Sequence, residues 1–216
     1  MMGKVGDCRW PWLKDNFIAW FIKRYQVDLT EAVESNAKNF NSFNDFFTRA
    51  LKSSARPIVT ENNAIACPVD GFVSQVGQIN NGQLIQAKNK SFTLSQLLGQ
   101  NQEYASLFEH GQFATLYLAP KNYHRIHIPL SGQLKSMLYV PGKLFSVNPL
   151  TAENVDGLFA RNERLITLFD TGIGPMAVIF VGAMIVASIE TVWAGVITPP
   201  HGNTTKYWDY SQQMIK

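Results

Sequence analysis

Cysteine is scarce in this chain and charge is thin. Its 216 residues include two cysteines, Cys8 and Cys67, and only 16% Asp, Glu, Lys and Arg. Two distant cysteines in unlike contexts do not make a disulfide framework or a metal-type spacing. A reducing compartment is therefore the default, and both are read as packed residues. Long apolar runs are also missing. The longest, Met176 to Ile189, is interrupted by Gly182 and holds fourteen residues, short of the roughly twenty that span a bilayer. The N-terminus lacks the unbroken apolar core of a signal peptide, so any membrane association is expected to be peripheral. No serine sits in a Gly-x-Ser-x-Gly elbow. A net charge of +3 is too weak to point to nucleic acid, though it suits an anionic surface.

Apolar and aromatic side chains take up the balance, at 46% and 12%, enough for one domain, or one domain and an appendage, with a sizeable core. Trp10 to Tyr25 places Leu13, Phe17, Trp20 and Phe21 on one helical face, with tryptophans and cations at its borders. That pattern suits both a helix lying in lipid headgroups and a helix packed on its own domain. A second helix is expected around Leu29 to Lys38. Ser42 to Leu51 reads as a third, with Ser42 as its N-cap.

The grammar changes after Arg56-Pro57-Ile58. Strands are expected at 64–69, 72–79, 84–87, 113–118, 133–140, 164–170, 177–186 and 188–197, bounded by Asp-Gly, Asn-Gly, Ser-Gly and Pro-Gly turns. Thr93 to Leu98 and Glu103 to Phe108 read as helical inserts, and Lys206 to Trp208 as the start of another strand. The resulting fold class is α+β: N-terminal amphipathic helices followed by a mainly antiparallel β body. The expected division is a helical, membrane-associating head over 1–56 and a β-rich catalytic body over 57–216, incomplete at its C-terminus.

Chemistry concentrates in Tyr117 to Pro129, which holds two of the four histidines. Ile126 and Ile128 alternate with Arg125 and His127, a strand pattern. Side chains three apart on a strand face oppositely, so His124 and His127 suit two tasks better than one metal ion. Asp70, in Cys67-Pro68-Val69-Asp70-Gly71, is a candidate partner for a histidine base, although a lone Asp-Gly more commonly satisfies its own turn. Phe159-Ala160-Arg161-Asn162-Glu163-Arg164 reads as a solvated loop with local ion pairs. His110 and His201 are expected to be exposed. The residues by themselves thus reach an acid/base pair without a nucleophile.

Several segments together carry a family likeness: Ser42 to Leu51, Pro68 to Gly71, Tyr123-His124-Arg125-Ile126-His127, Tyr139 to Gly142, Leu144 to Asn148, Phe159 to Arg164 and Ile189 to Gly195. In this order, from about Lys14 to Trp208, the chain resembles bacterial phosphatidylserine decarboxylase. The resemblance implies a proenzyme that cuts itself within Leu-Gly-Ser-Thr, turning the serine into a covalent pyruvoyl group on a small chain. It implies that Asp70 and His127 activate that serine by triad logic and that His124 serves the decarboxylation step. The pyruvoyl group would form a Schiff base with phosphatidylserine and act as electron sink when carbon dioxide leaves, giving phosphatidylethanolamine. The implied partners are phosphatidylserine, an anionic membrane surface, the small pyruvoyl-bearing chain and a second copy in a homodimer. The implied place is the cytoplasmic face of the bacterial inner membrane, as a peripheral protein.

Leu-Gly-Ser-Thr itself does not occur in these 216 residues, so none of them is the pyruvoyl-forming serine. The expectation is a large chain that stops before the motif and neither processes nor decarboxylates by itself. The competing expectation is a catalytically dead remnant that only binds anionic lipid membrane.

Overall fold

Pro11 opens the first helix, where its missing N–H costs nothing. In the computed structural model, which describes residues 6–61, 64–184, 186, 188–199 and 203–212, helix α1 spans Pro11–Tyr25. It stops at Gln26, whose left-handed backbone (φ 56°) returns its N–H to the Ile22 carbonyl. Ile18 and Phe21 are buried, whereas Trp10, Trp12 and Trp20 are exposed, so one face of the helix packs within its own unit. Lys14 is buried too, and its ammonium donates to the carbonyls of Lys38 (2.9 Å) and Phe40 (2.7 Å).

The helix expected over Leu29 to Lys38 does not form. Asp28 accepts from the Thr30 N–H and Glu34 from the Asn36 N–H, and such short loops compete with helical hydrogen bonding. Only a 3-10 turn, Ala37–Asn39, remains. Helix α2, Phe43–Phe47, is shorter than expected but starts as read, with the Ser42 hydroxyl accepting from the Asp45 N–H at 3.1 Å. Phe21, Phe43, Phe46 and Phe47 then meet as an aromatic nest, with ring centroids 4.9 to 6.0 Å apart around Phe21.

Two compact units result: residues 1–72 with 118–130, and residues 73–117 with 131–216. The strands are β1 (Phe72–Gln78), β2 (Gln83–Ala87), β3 (Lys90–Thr93), β4 (Gln112–Tyr117), β5 (Gly132–Val140), β6 (Arg164–Thr171), β7 (Gly174–Val181), β8 (Ile189–Thr191), β9 (Gly195–Thr198) and β10 (Lys206–Asp209), all in the second unit but for Phe72. The main sheet has the order β10-β5-β6-β7 and is antiparallel throughout. The α+β class is as expected. One strand expected over 188–197 is split into the β8/β9 hairpin, with Gly195 at φ 67° supplying the turn. His201 lies outside the described residues.

Helices α3 (Leu94–Leu97), α4 (Gln102–Leu107), α5 (Pro149–Asn154) and α6 (Leu158–Arg161) lie between strands. The last two are not legible in apolar periodicity, since each is barely a turn or so long. Leu84, Phe92, Leu98, Leu138, Leu158, Phe159 and Ile166 form the centre of this unit's core.

The charged run at 160–164 is a correction. It is not a solvated loop: Asn162, Glu163 and Arg164 are all buried. Arg164 forms no ion pair among the described residues. Instead its guanidinium donates to the carbonyls of Leu97 (2.6 Å), Gln96 (2.7 Å), Ala160 (2.8 Å) and Asn162 (2.9 Å). These carbonyls sit at or just beyond the C-terminal ends of α3 and α6, and burial draws the guanidinium pKa down to about 10. Glu163 accepts from the hydroxyls of Thr198 (3.0 Å) and Tyr139 (3.3 Å), and Asn162 bonds both the N–H and the carbonyl of Phe145. Gly142 is required beside them, because a Cβ there would stand 2.5 Å from the Glu163 nitrogen.

Arg164→Leu would leave four carbonyls, two in buried and two in part-buried hydrogen bonds, without that donor. The expected cost is about 3 kcal/mol of unfolding free energy in urea titration. A loss under about 0.5 kcal/mol would show that water replaces the guanidinium without penalty.

Candidate active site

The 118–130 segment groups with the helices because it is fastened to them. Arg125 donates from Nε to the Thr48 carbonyl (2.7 Å), and Arg49 donates from Nη2 to the Lys121 carbonyl (3.2 Å). Its far end reaches 66–68 through the Ala66 N–H to Pro129 (3.2 Å) and the His127 N–H to Pro68 (2.9 Å). The strand expected around Ile126 and His127 does not form. Two spaced backbone bonds make no ladder, and Ile126 and His127 are both exposed, so the alternation is not reproduced. A strand is absent over 64–69 as well, although the chain there is paired by those same two bonds.

His124 and His127 nevertheless do different things. The His124 ring packs on Phe47 at 3.9 Å between centroids. Its Nδ1 lies 2.8 Å from the Asn122 carbonyl, which can only accept, so Nδ1 carries the hydrogen and Nε2 keeps the lone pair. Burial, helped by the charge of Arg49, pushes its pKa down to about 4 against the opposing pull of that hydrogen bond. His124 is thus a neutral imidazole with its basic nitrogen defined. His127 stacks beside Tyr123 at 5.7 Å, with Nε2 3.0 Å from the Tyr123 hydroxyl.

Asp70 is not a turn residue satisfying itself. Its two carboxylate oxygens accept from Arg56 Nε and Nη2, each at 2.7 Å, and the Tyr123 N–H bonds it as well. Arg56 foremost holds its carboxyl below the usual aspartate range. Among the described residues Asp70 makes no hydrogen bond to either histidine. Tyr123 links them, with its N–H on Asp70 and its hydroxyl on His127. Tyr123, Arg56 and Glu31 were not singled out by sequence reasoning. Tyr123 lies inside the Tyr-His-Arg-Ile-His motif, but Arg56 and Glu31 pair over 25 residues with no local signal.

Arg49 is 4% exposed, and its Nε and Nη1 have no hydrogen-bond partner among the described residues. Cys67 is exposed rather than packed, with its thiol 3.2 Å from the Val69 carbonyl. His110 is exposed as expected.

Two histidines in distinct settings thus lie in one unit with an ionised carboxylate and a phenol. A family model described as phosphatidylserine decarboxylase matches residues 43–213, and one described as PSD matches residues 1–26. The chain is 58% identical over 200 residues to the phosphatidylserine decarboxylase proenzyme of Pseudomonas aeruginosa, covering 93% of this chain and 69% of that protein. It is 59% identical over 199 residues to that of Bordetella pertussis (92% and 67%) and 55% identical over 210 residues to that of Shewanella denitrificans (97% and 73%). The chain belongs to the phosphatidylserine decarboxylase family.

The depressed pKa of His124 has a sign. The unfolded chain binds this proton below about pH 6.5, whereas the folded chain refuses it until about pH 4. Stability is therefore lost on acidification through that window. His124→Phe, which keeps a ring on Phe47, is expected to remove about 1 to 2 kcal/mol of the stability difference between pH 7 and pH 5. Equal pH profiles for both proteins would contradict the assignment.

Proposed function

We propose that this chain supplies the large-chain part of a pyruvoyl-dependent phosphatidylserine decarboxylase, converting phosphatidylserine to phosphatidylethanolamine and carbon dioxide. The observation that carries this reading is the neutral His124, with Nδ1 fixed on the Asn122 carbonyl and Nε2 as its basic nitrogen, set within one unit beside the Asp70-Tyr123-His127 group. Such a group suits proton traffic next to a reactive carbonyl, because His124 offers a neutral base at ordinary pH rather than a fixed cation. The pyruvoyl group, formed from a serine that is not among these 216 residues, would supply the electron sink when bound.

In this reading His124 holds and returns a proton at Nε2, its orientation fixed by Asn122 and its charge state by Phe47 and burial. His127 serves as base toward the processing serine. Its present partner, the Tyr123 hydroxyl, occupies Nε2 and would have to yield it. Asp70 stays ionised and favours the imidazolium as it forms. The small pyruvoyl-bearing chain and a second copy of the protein are the proposed partners.

The helical head over 1–56 is proposed to bind anionic membrane peripherally, at the cytoplasmic face of the inner membrane. Exposed Trp10, Trp12 and Trp20 lie on α1 or at its start, with Arg9, Lys23 and Arg24 nearby. No helix among the described residues is long and apolar enough to cross a membrane. Interfacial tryptophans with flanking cations are the pattern of a helix lying in headgroups.

The decisive measurement is mass spectrometry of the protein purified from its source, paired with phosphatidylethanolamine formation from phosphatidylserine vesicles. The expected result is product formation that falls about 10²- to 10⁴-fold in His124→Gln, with His127→Gln and Asp70→Asn accumulating uncut precursor. A single 24.2 kDa species without decarboxylation would overturn the enzymatic reading. In sedimentation with anionic vesicles, Trp12→Ser/Trp20→Ser should shift most of the protein from pellet to supernatant. An unchanged pellet would remove α1 from the membrane contact.

A further inference from the structure

Arg56 has spent every donor it owns. Nε and Nη2 form one fork on Asp70, each at 2.7 Å, and Nη1 and Nη2 form a second fork on Glu31, at 3.0 and 2.9 Å. The last Nη1 hydrogen goes to the Ala55 carbonyl at 2.6 Å. All five guanidinium N–H groups are then occupied, so Arg56 has nothing left with which to bind a substrate. Nor is it placed to stabilise the fold strongly. Its side chain and that of Glu31 are 45% and 48% exposed, and exposed ion pairs contribute little to stability. What remains distinctive is its target: the Asp70 side chain is only 18% exposed and abuts Tyr123, whose hydroxyl holds His127.

We infer that Arg56 is a positioning residue of the acid–base centre: its fork fixes the Asp70 carboxylate and limits how much of that negative charge acts on the Tyr123–His127 pair, while Glu31 holds Arg56 in place from the other side. The inference rests on the reading above, in which Asp70 serves His127. It adds two residues: Arg56, which acts through Asp70, and Glu31, which acts through Arg56. The charges around this group are few. Asp70 has Arg56 bonded to it and Arg49 farther off, and Tyr123 feels Asp70, Arg56 and Arg125. With Arg56 in place, Asp70 is a neutralised pair as seen from Tyr123. Without it, Asp70 becomes a lone carboxylate that can turn to the imidazole.

The test is NMR titration of the histidine ring protons of the 216-residue chain, with His127 assigned through His127→Gln and His110 as an exposed reference. Arg56→Gln is expected to raise the His127 pKa by about one unit, as an uncompensated carboxylate favours the imidazolium. Arg56→Gln/Asp70→Asn should return it to the wild-type value. Arg56→Lys, which keeps charge but loses the fork, should give a smaller rise, and Glu31→Gln a change within about 0.2 units while Arg56 still grips Asp70. No shift in Arg56→Gln, or a shift that survives Asp70→Asn, would overturn the inference. If Arg56→Gln lost its folded spectrum, Arg56→Lys would decide by the same criteria. The readout does not depend on turnover. Failure of the decarboxylation assay and failure of this titration are therefore separate results.

Discussion

The candidate site depends on how the segment from Leu118 to Leu130 is held. This stretch has no helix or sheet of its own to fix it, so its geometry comes from side chains that lend donors to stray carbonyls. Arg125 takes the Thr48 carbonyl just past the end of α2, and Arg49 reaches the Lys121 carbonyl from the same side. Both are charged donors on neutral acceptors, the stronger sort of hydrogen bond. His124 completes the attachment by stacking on Phe47, the last residue of α2. The ring that is proposed to move protons is thus part of the packing that positions it, and the desolvation that keeps it neutral is the same contact.

Carbonyl capture by cations recurs in the second unit, there by a buried one. Arg164 there does for α3 and α6 what Arg49 and Arg125 do for the 118–130 segment, with no carboxylate involved. Lys14 also takes the carbonyls of Lys38 and Phe40, with the Asp15 carboxylate 2.7 Å from its ammonium as well. A low-charge chain can bury cations in this way because several carbonyl dipoles share the desolvation cost of one guanidinium or ammonium. It also explains why charge runs in this sequence are poor guides to exposure.

That is where sequence and structure part. Elements set by local rules were legible: the Pro11 start of α1, the Ser42 cap, the β5-β6-β7 meander and its glycine turns. The helix expected over Leu29 to Lys38 failed because Asp28 and Glu34 offered their own carboxylates to nearby N–H groups, a competition periodicity does not weigh. The burial of Glu163 and Arg164 was not legible, since the carbonyls of Gln96 and Leu97 that justify it lie more than sixty residues away. Of the site, His124, His127 and Asp70 stood out by residue type and motif. Their partners did not, because Arg56, Glu31 and Tyr123 acquire meaning only when 31, 56, 70 and 123 are brought together.

The expected carboxylate–imidazole contact and the observed carboxylate–guanidinium fork are alternatives for the same oxygens. A carboxylate with two oxygens and about four lone-pair sites can serve several donors, yet a fork from Arg56 on both oxygens fixes its plane. A bond to His127 then has to use the in-plane lone pairs that the fork leaves open, or displace one arm of the fork. Glu31 bears on this choice. By holding the other face of Arg56 it keeps the guanidinium from following Asp70, so any turn of Asp70 toward His127 stretches the fork rather than dragging it along. The strength of the base is therefore set two residues away from the imidazole, at a bidentate pair exposed enough to exchange and buried enough on the Asp70 side to matter.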